Sequence, residues 1–214
     1  MNARDLLTTG ARELGIDLSA DQVDAVFIYL AELKKWNRKI NLTAIRDEQD
    51  IVIKHVLDSL SYMKGLSAAP GLKLLDMGSG AGFPAIPIKL VQPDIAITMV
   101  ESVKKKASFL RHIIRTLKLA GIEVLDKRTE ELPDSFHDSF DVVTARAFAD
   151  MNKAIASGLS FLKLGGLMVL SRGPEETIDQ QELAGSGVVL QKRIELTLPH
   201  SEYKRAIWVL KRVH

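Results

Sequence analysis

Apolar residues in the first third of the chain recur at intervals of three and four, and beyond residue 72 they gather into short runs broken by glycine, proline and charge. The first pattern predicts helices. Residues 3 to 14 read as a short amphipathic helix ending at Gly15. Ser19 and Gln22 form a capping-box pair ahead of Val23, Val26, Phe27, Leu30, Leu33 and Trp36, a stripe assigned to the core. Trp36 to Thr43 mixes amide and hydroxyl groups with apolar positions, as a helix end followed by a tight loop would. A further helix is expected from about Glu48 to Met63, with Asp47 or Asp50 near its start and Val52, Val56, Leu60 and Met63 inward.

The second pattern predicts strands at 72–76, 95–100, 122–126, 140–144 and 166–171, with helices at 84–91, 103–119 and 151–162 between most of them. Such alternation implies a parallel, doubly wound α/β sheet. The chain closes differently. Runs at 188–198 and 205–213 flank Pro199-His200-Ser201-Glu202, a connection short enough for an antiparallel pair. Gly65 to Gly71 has the composition of a linker, so the expected division is a helical N-terminal extension, 1–66, and an α/β body, 67–214. No internal repeat or low-complexity tract appears.

Composition narrows the classes. Apolar residues at 46% and charged residues at 26% are ordinary for a globular chain of 214 residues. A net charge of +2 announces no nucleic-acid partner, so any basic surface has to be local. Two stretches qualify: Leu33 to Arg46 holds five basic residues and no acid, and Val103 to Lys118 holds six and no acid. Cysteine is absent, which excludes a disulfide framework, a thiolate zinc site and a cysteine nucleophile. His55, His112, His137, His200 and His214 lack metal-ligand spacing, so no metal is expected. With neither a signal-like N-terminus nor a run long enough for a membrane span, the expected compartment is the cytoplasm.

The chemistry concentrates where the first predicted strand ends, in Asp76-Met-Gly-Ser-Gly-Ala-Gly-Phe-Pro84. Gly78, Gly80 and Gly82 allow backbone conformations and close ligand approach that a side chain forbids, and a strand, glycine turn and helix in that order hold a nucleotide beyond the strand's carboxyl end. The dinucleotide fingerprint requires a third glycine where Phe83 stands, which disfavours an NAD-dependent oxidoreductase. The pattern D-x-G-x-G-x-G resembles motif I of the class I S-adenosylmethionine (SAM) methyltransferases. About 20 residues further on, Glu101 ends the second strand, where an acid grips a ribose diol. Lys127 to Leu132 follows the third strand, and Arg146 closes the fourth, where it would point into the crevice and meet a carboxylate.

Five blocks in one order, from about Leu30 to Trp208, resemble the RsmG (GidB) family, bacterial methyltransferases of guanine N7 in small-subunit (16S) ribosomal RNA. They are Trp36-Asn37 with Ile40 to Arg46, His55 to Leu60, Asp76 to Pro84, Glu101 to Lys106 with Phe109-Leu110, and Val143 to Phe148. The resemblance implies a Rossmann-like class I fold, in which an antiparallel strand closes the sheet, and SAM as cofactor. It places SAM contacts at Asp76, Gly78, Gly80, Gly82, Phe83, Glu101, Thr129, Glu130 and Arg146, and turns the Asn-Leu-Thr and His-x-x-Asp-Ser segments toward RNA. Candidate RNA contacts are Arg38, Lys39, His55, Lys104, Lys105, Lys106 and Arg111. Thr129 departs from the family, which usually has alanine there.

No Asn-Pro-Pro-Tyr motif follows the fourth strand, which argues against exocyclic-amine methylation. A ring nitrogen such as guanine N7 already offers a lone pair, so positioning suffices and a base is not required. Asn41 and Asp58 stand as candidates for a catalytic acceptor. The implied partner is 16S rRNA or the small subunit, bound by a monomer; alternatives are a methyltransferase of another RNA or a small molecule, and an assembly factor that keeps SAM as a fold ligand.

Overall fold

The computed structural model describes residues 1–66, 71–146, 150–176, 183 and 185–214. The division expected at 66/67 and most of the proposed linker touch residues 67–70, outside that set, as do Ala147 and Phe148 of the fifth block.

Each N-terminal helix begins at a residue that satisfies its free N–H groups. In α1 (Ala3–Glu13) the Asn2 side chain accepts from Asp5 N at 2.9 Å. In α2 (Ala20–Ile40) the Ser19/Gln22 capping box forms as the spacing predicts, and Gln22 Nε2 also donates to Leu90 O at 2.9 Å. Asn41 ends α2 in the left-handed region (φ 50°), a conformation that asparagine tolerates better than most residues.

The single helix expected from 48 to 63 is instead composite. Glu48–Ile51 is α-helical (α3), Val52–Leu57 widens into π-helical turns, Asp58–Ser61 resumes as α4, and Tyr62–Gly65 tightens to 3-10. The widened turns shift the phase of the following residues, so Tyr62 is fully buried while Met63 is only half-buried. Apolar spacing alone does not reveal such a change of pitch.

Among the described residues the sheet has seven strands in the order β3-β2-β1-β4-β5-β7-β6. These are β1 (Lys73–Met77), β2 (Ala96–Val100), β3 (Ile122–Leu125), β4 (Phe140–Ala145), β5 (Leu162–Arg172), β6 (Val188–Thr197) and β7 (Lys204–Arg212). β1 to β5 run parallel; β7 pairs antiparallel with both β5 and β6, so the last strand slots inside the sheet and β6 forms the edge. Helix α7 (Met151–Gly158) stops earlier than expected and β5 starts earlier, because Gly165 and Gly166 carry the chain through an irregularity in the β4–β5 register.

Alternate residues of each strand enter opposite cores. Leu74, Ile97, Met99, Val142, Val169 and Ile207 pack against α1, α2, the composite helix, α5 (Ala85–Val91) and α6 (Lys104–Thr116). Leu75, Met77, Val143, Met168, Leu170 and Trp208 pack with Met151, Ala154 and Ile155 of α7. The N-terminal helices thus share a core with the sheet. The order of strands reverses between β1 and β4, and there the crevice opens.

Candidate functional site

β1 delivers Asp76 to the end of the sheet, and the chain then turns through Gly78 (φ 68°), Gly80 (φ 58°) and Gly82 (φ 96°). The last two do different work. A Cβ on Gly80 would meet only Gly78 O at 3.9 Å, so that backbone lies open to an incoming group; a Cβ on Gly82 would strike Ile86 at 2.8 Å and Leu110 at 3.0 Å. Glu101 braces the turn: one carboxylate oxygen accepts from Gly80 N and the other from Val103 N, both at 2.8 Å. Each oxygen keeps a lone pair for a hydroxyl.

Asp76 is buried beside its β4 neighbour Thr144, whose hydroxyl donates to Oδ1 at 3.1 Å. Its buried Oδ2 has no partner among the described residues, and burial pushes the carboxyl up to about 7. Arg146, just beyond β4, donates from Nη2 to Lys54 O at 2.9 Å and to His55 Nδ1 at 2.7 Å, while its buried Nη1 has no partner among the described residues.

That contact fixes the His55 tautomer. Arginine only donates, so Nδ1 is the acceptor and Nε2 bears the proton, which it gives to Thr43 Oγ1 at 2.7 Å. Burial and the Arg146 charge hold His55 down to about 4, so the ring is neutral at neutral pH. The imidazole stacks on Phe83 with centroids 4.7 Å apart. Asn37 closes the chain by clamping the Thr43 backbone, accepting from its N–H at 2.9 Å and donating to its carbonyl at 2.8 Å.

The residues expected to bind the cofactor or serve as acceptors fall into four places. Asp76, Gly78, Gly80, Gly82, Phe83, Glu101 and Arg146 gather at the crevice with His55 beside them. Thr129 is buried in a 3-10 turn after β3, with Glu130 exposed. Asp58, a candidate acceptor, is enclosed and paired with Arg205 Nε at 2.9 Å and Arg146 at 3.5 Å, whereas Asn41, the other, is exposed at the α2 C-cap.

The basic residues lie outside the crevice. Lys104 and Lys105 are exposed and Lys106 half-buried in the first turn of α6. Arg111 reaches Val124 O at 3.3 Å and so caps a carbonyl of the edge strand β3. Arg38 lines an open groove of about 970 Å³ with Lys34, Asn37, Asn41, Thr43 and Arg46, while Lys39 is exposed at the end of α2.

Sequence reasoning missed several contributors. Tyr29 lies on the buried face of α2, where its hydroxyl donates to Ala81 O at 2.5 Å and its ring meets Phe83 at 5.3 Å. Apolar spacing points to that position but not to its hydrogen bond. Thr144 and Arg205 become neighbours of Asp76 and Asp58 only through strand pairing.

A family model described as rRNA small subunit methyltransferase G matches residues 22–208. A relative from Geobacter sp. (strain M21), named Ribosomal RNA small subunit methyltransferase G, is 42% identical over 99% of this chain and 98% of its own. A second of that name, from Geobacter metallireducens, is 39% identical over 98% and 96%. The solved structure of a SAM-dependent methyltransferase from Aquifex aeolicus shares the fold at 15% identity, with a TM-score of 0.60 over 79% of this chain and 96% of that one. A crevice at the strand-order reversal, a glycine turn braced by Glu101 and matches that run nearly end to end lead to one assignment: the chain belongs to the rRNA small subunit methyltransferase G family.

Proposed function

We propose that the protein transfers a methyl group from SAM to N7 of a guanine in small-subunit ribosomal RNA. The observation that carries this reading is that His55, Asp58 and Glu101, at or beside the crevice, are already committed. Both ring nitrogens of His55 are engaged, Asp58 lies between two arginines, and both Glu101 oxygens are held by backbone amides. Asp76, whose Oδ2 is open, is kept for the cofactor's ammonium, so among the described residues none of these groups is left over as a base, which suits a nucleophile that has no proton to lose.

The residues present fit SAM. Two buried polar atoms without partners, Asp76 Oδ2 and Arg146 Nη1, match an ammonium and a carboxylate of the methionine moiety. Glu101 suits the ribose diol, the open Gly80 backbone permits close approach, and Gly78, Gly82 and Phe83 shape the turn around it. The turn at Thr129 and Glu130 suits the adenine edge. When bound, SAM supplies an electrophilic sulfonium methyl that a ring-nitrogen lone pair accepts directly. This chain then orients the two reactants and excludes water, a contribution from positioning alone.

Arg38, Lys39, His55 and Lys104 to Lys106, with Arg111 behind them, complete the reading as the RNA-facing side of a monomeric, cytoplasmic enzyme. The test is transfer from radiolabelled SAM onto small-subunit RNA carrying guanine or 7-deazaguanine at the target position. Guanine is expected to take label and 7-deazaguanine none; equal labelling of the two would overturn the N7 assignment and leave a methyltransferase of another atom or of a small molecule.

A further inference from the structure

The hydrogen bonds at Thr43 leave its hydroxyl a single role. A threonine hydroxyl has one proton to give and two lone pairs to fill. Both lone pairs are taken, one by His55 Nε2–H at 2.7 Å and the other by Ile45 N–H at 3.1 Å. The first direction is not free to reverse, because Arg146 Nη2 occupies His55 Nδ1 as a donor. The hydroxyl proton therefore points away from both, and among the described residues it meets no acceptor.

Thr43 is half-buried on the wall of the basic groove, next to Asn37 and Arg46. Asn37 fixes its backbone from both sides, so the donor is held in place before any ligand arrives. His55 ties that wall to the crevice, since the ring that accepts from Arg146 and stacks on Phe83 is also the ring that sets the direction of the Thr43 hydroxyl. The site is a fixed, single-direction donor at the junction of groove and crevice.

Purines differ in what stands beside N7. Guanine carries O6, an acceptor, whereas adenine carries the donor N6–H₂. We propose that the Thr43 hydroxyl donates to O6 of the target guanine and so selects guanine over adenine. The inference rests on the N7 reading and adds the residue that sets base identity. His55 is the positioning residue behind it, because a flipped tautomer would claim the hydroxyl proton for Nε2.

The test uses small-subunit RNA assembled by ligation with guanine or 2-aminopurine at the target position. 2-Aminopurine keeps N7 and lacks O6. The wild-type protein is expected to favour guanine by about 10- to 100-fold in kcat/KM. Thr43→Val has nearly the same shape and cannot donate; it is expected to lose most of its rate on guanine and bring the ratio below about 3-fold. Thr43→Ser, which keeps the donor and both accepted bonds, should keep the ratio with SAM affinity by calorimetry unchanged.

A Thr43→Val protein that retains the wild-type ratio, or a Thr43→Ser protein that loses it, would overturn the inference. So would wild-type transfer to N7 of guanine and of 2-aminopurine at equal rates, which leaves the N7 reading standing. Loss of label from wild-type reactions on guanine itself would instead strike that reading.

Discussion

Asp76 and His55 are both buried in the crevice, and burial drives their proton equilibria in opposite directions. Between the ordinary carboxylate value of about 4 and its raised value of about 7, folded Asp76 holds a proton that the unfolded chain has released, so its contribution to stability falls as pH rises. His55 does the reverse. Between about 4 and 6.5 the unfolded chain binds a proton that the folded ring does not, so its contribution grows with pH. The two partly cancel in the parent protein, and a variant separates them. Asp76→Asn removes the first, and its stability relative to the parent should rise by on the order of 2 to 4 kcal/mol between about pH 4.5 and about pH 7.5, read by urea unfolding. A difference that stays constant with pH would show that Asp76 is not protonated in the folded state. At this scale the acidic strand end, Glu101 and Arg146 were legible from position alone, since a strand's carboxyl end in such a sheet faces the ligand. The engagement of Asp58 by Arg205 was not, because the two meet only after β7 has returned to the middle of the sheet.

The glycine turn joins β1 to α5, and its glycines separate packing from ligand access. Gly82→Ala would place a methyl group against Ile86 and Leu110 at φ 96°, at an expected loss of about 3 kcal/mol of stability. Gly80→Ala faces open space at φ 58°, so the loss should be nearer 1 kcal/mol while SAM affinity by calorimetry falls at least about tenfold. Equal stability losses with unchanged affinity in both variants would contradict this division. The first turn of α6 shows the same tension between folding and ligand. Lys104, Lys105 and Lys106 sit where the helix macrodipole is positive, with no side chain capping the end. Such a turn is more comfortable beside an anion. The sequence showed this cluster plainly, as it did the capping box of α2 and the seven strands. It did not show the π-helical turns at Val52–Leu57, since buried positions on nearly every side of that segment remove the periodicity by which pitch is read.

Across the whole molecule, the N-terminal helices do more than precede the sheet. Tyr29, Asn37, Thr43 and His55 come from that part of the chain, and each reaches the glycine turn or Arg146 directly or through one or two neighbours. The basic groove beside them and the exposed lysines of α6 give a nearly neutral protein two local positive surfaces. Charge counts along the chain located both stretches, whereas their relation to the crevice needed the fold. The proposed reaction is methyl transfer to guanine N7 of ribosomal RNA. It is tested most directly by incubating the protein and radiolabelled SAM with small subunits, and with their extracted RNA, from cells that lack the protein, and then treating the RNA with borohydride and aniline, which cut at 7-methylguanine. Label at one cleavable guanine is the expected result. Label that survives cleavage unchanged, or none on either substrate while SAM still binds, would contradict the account.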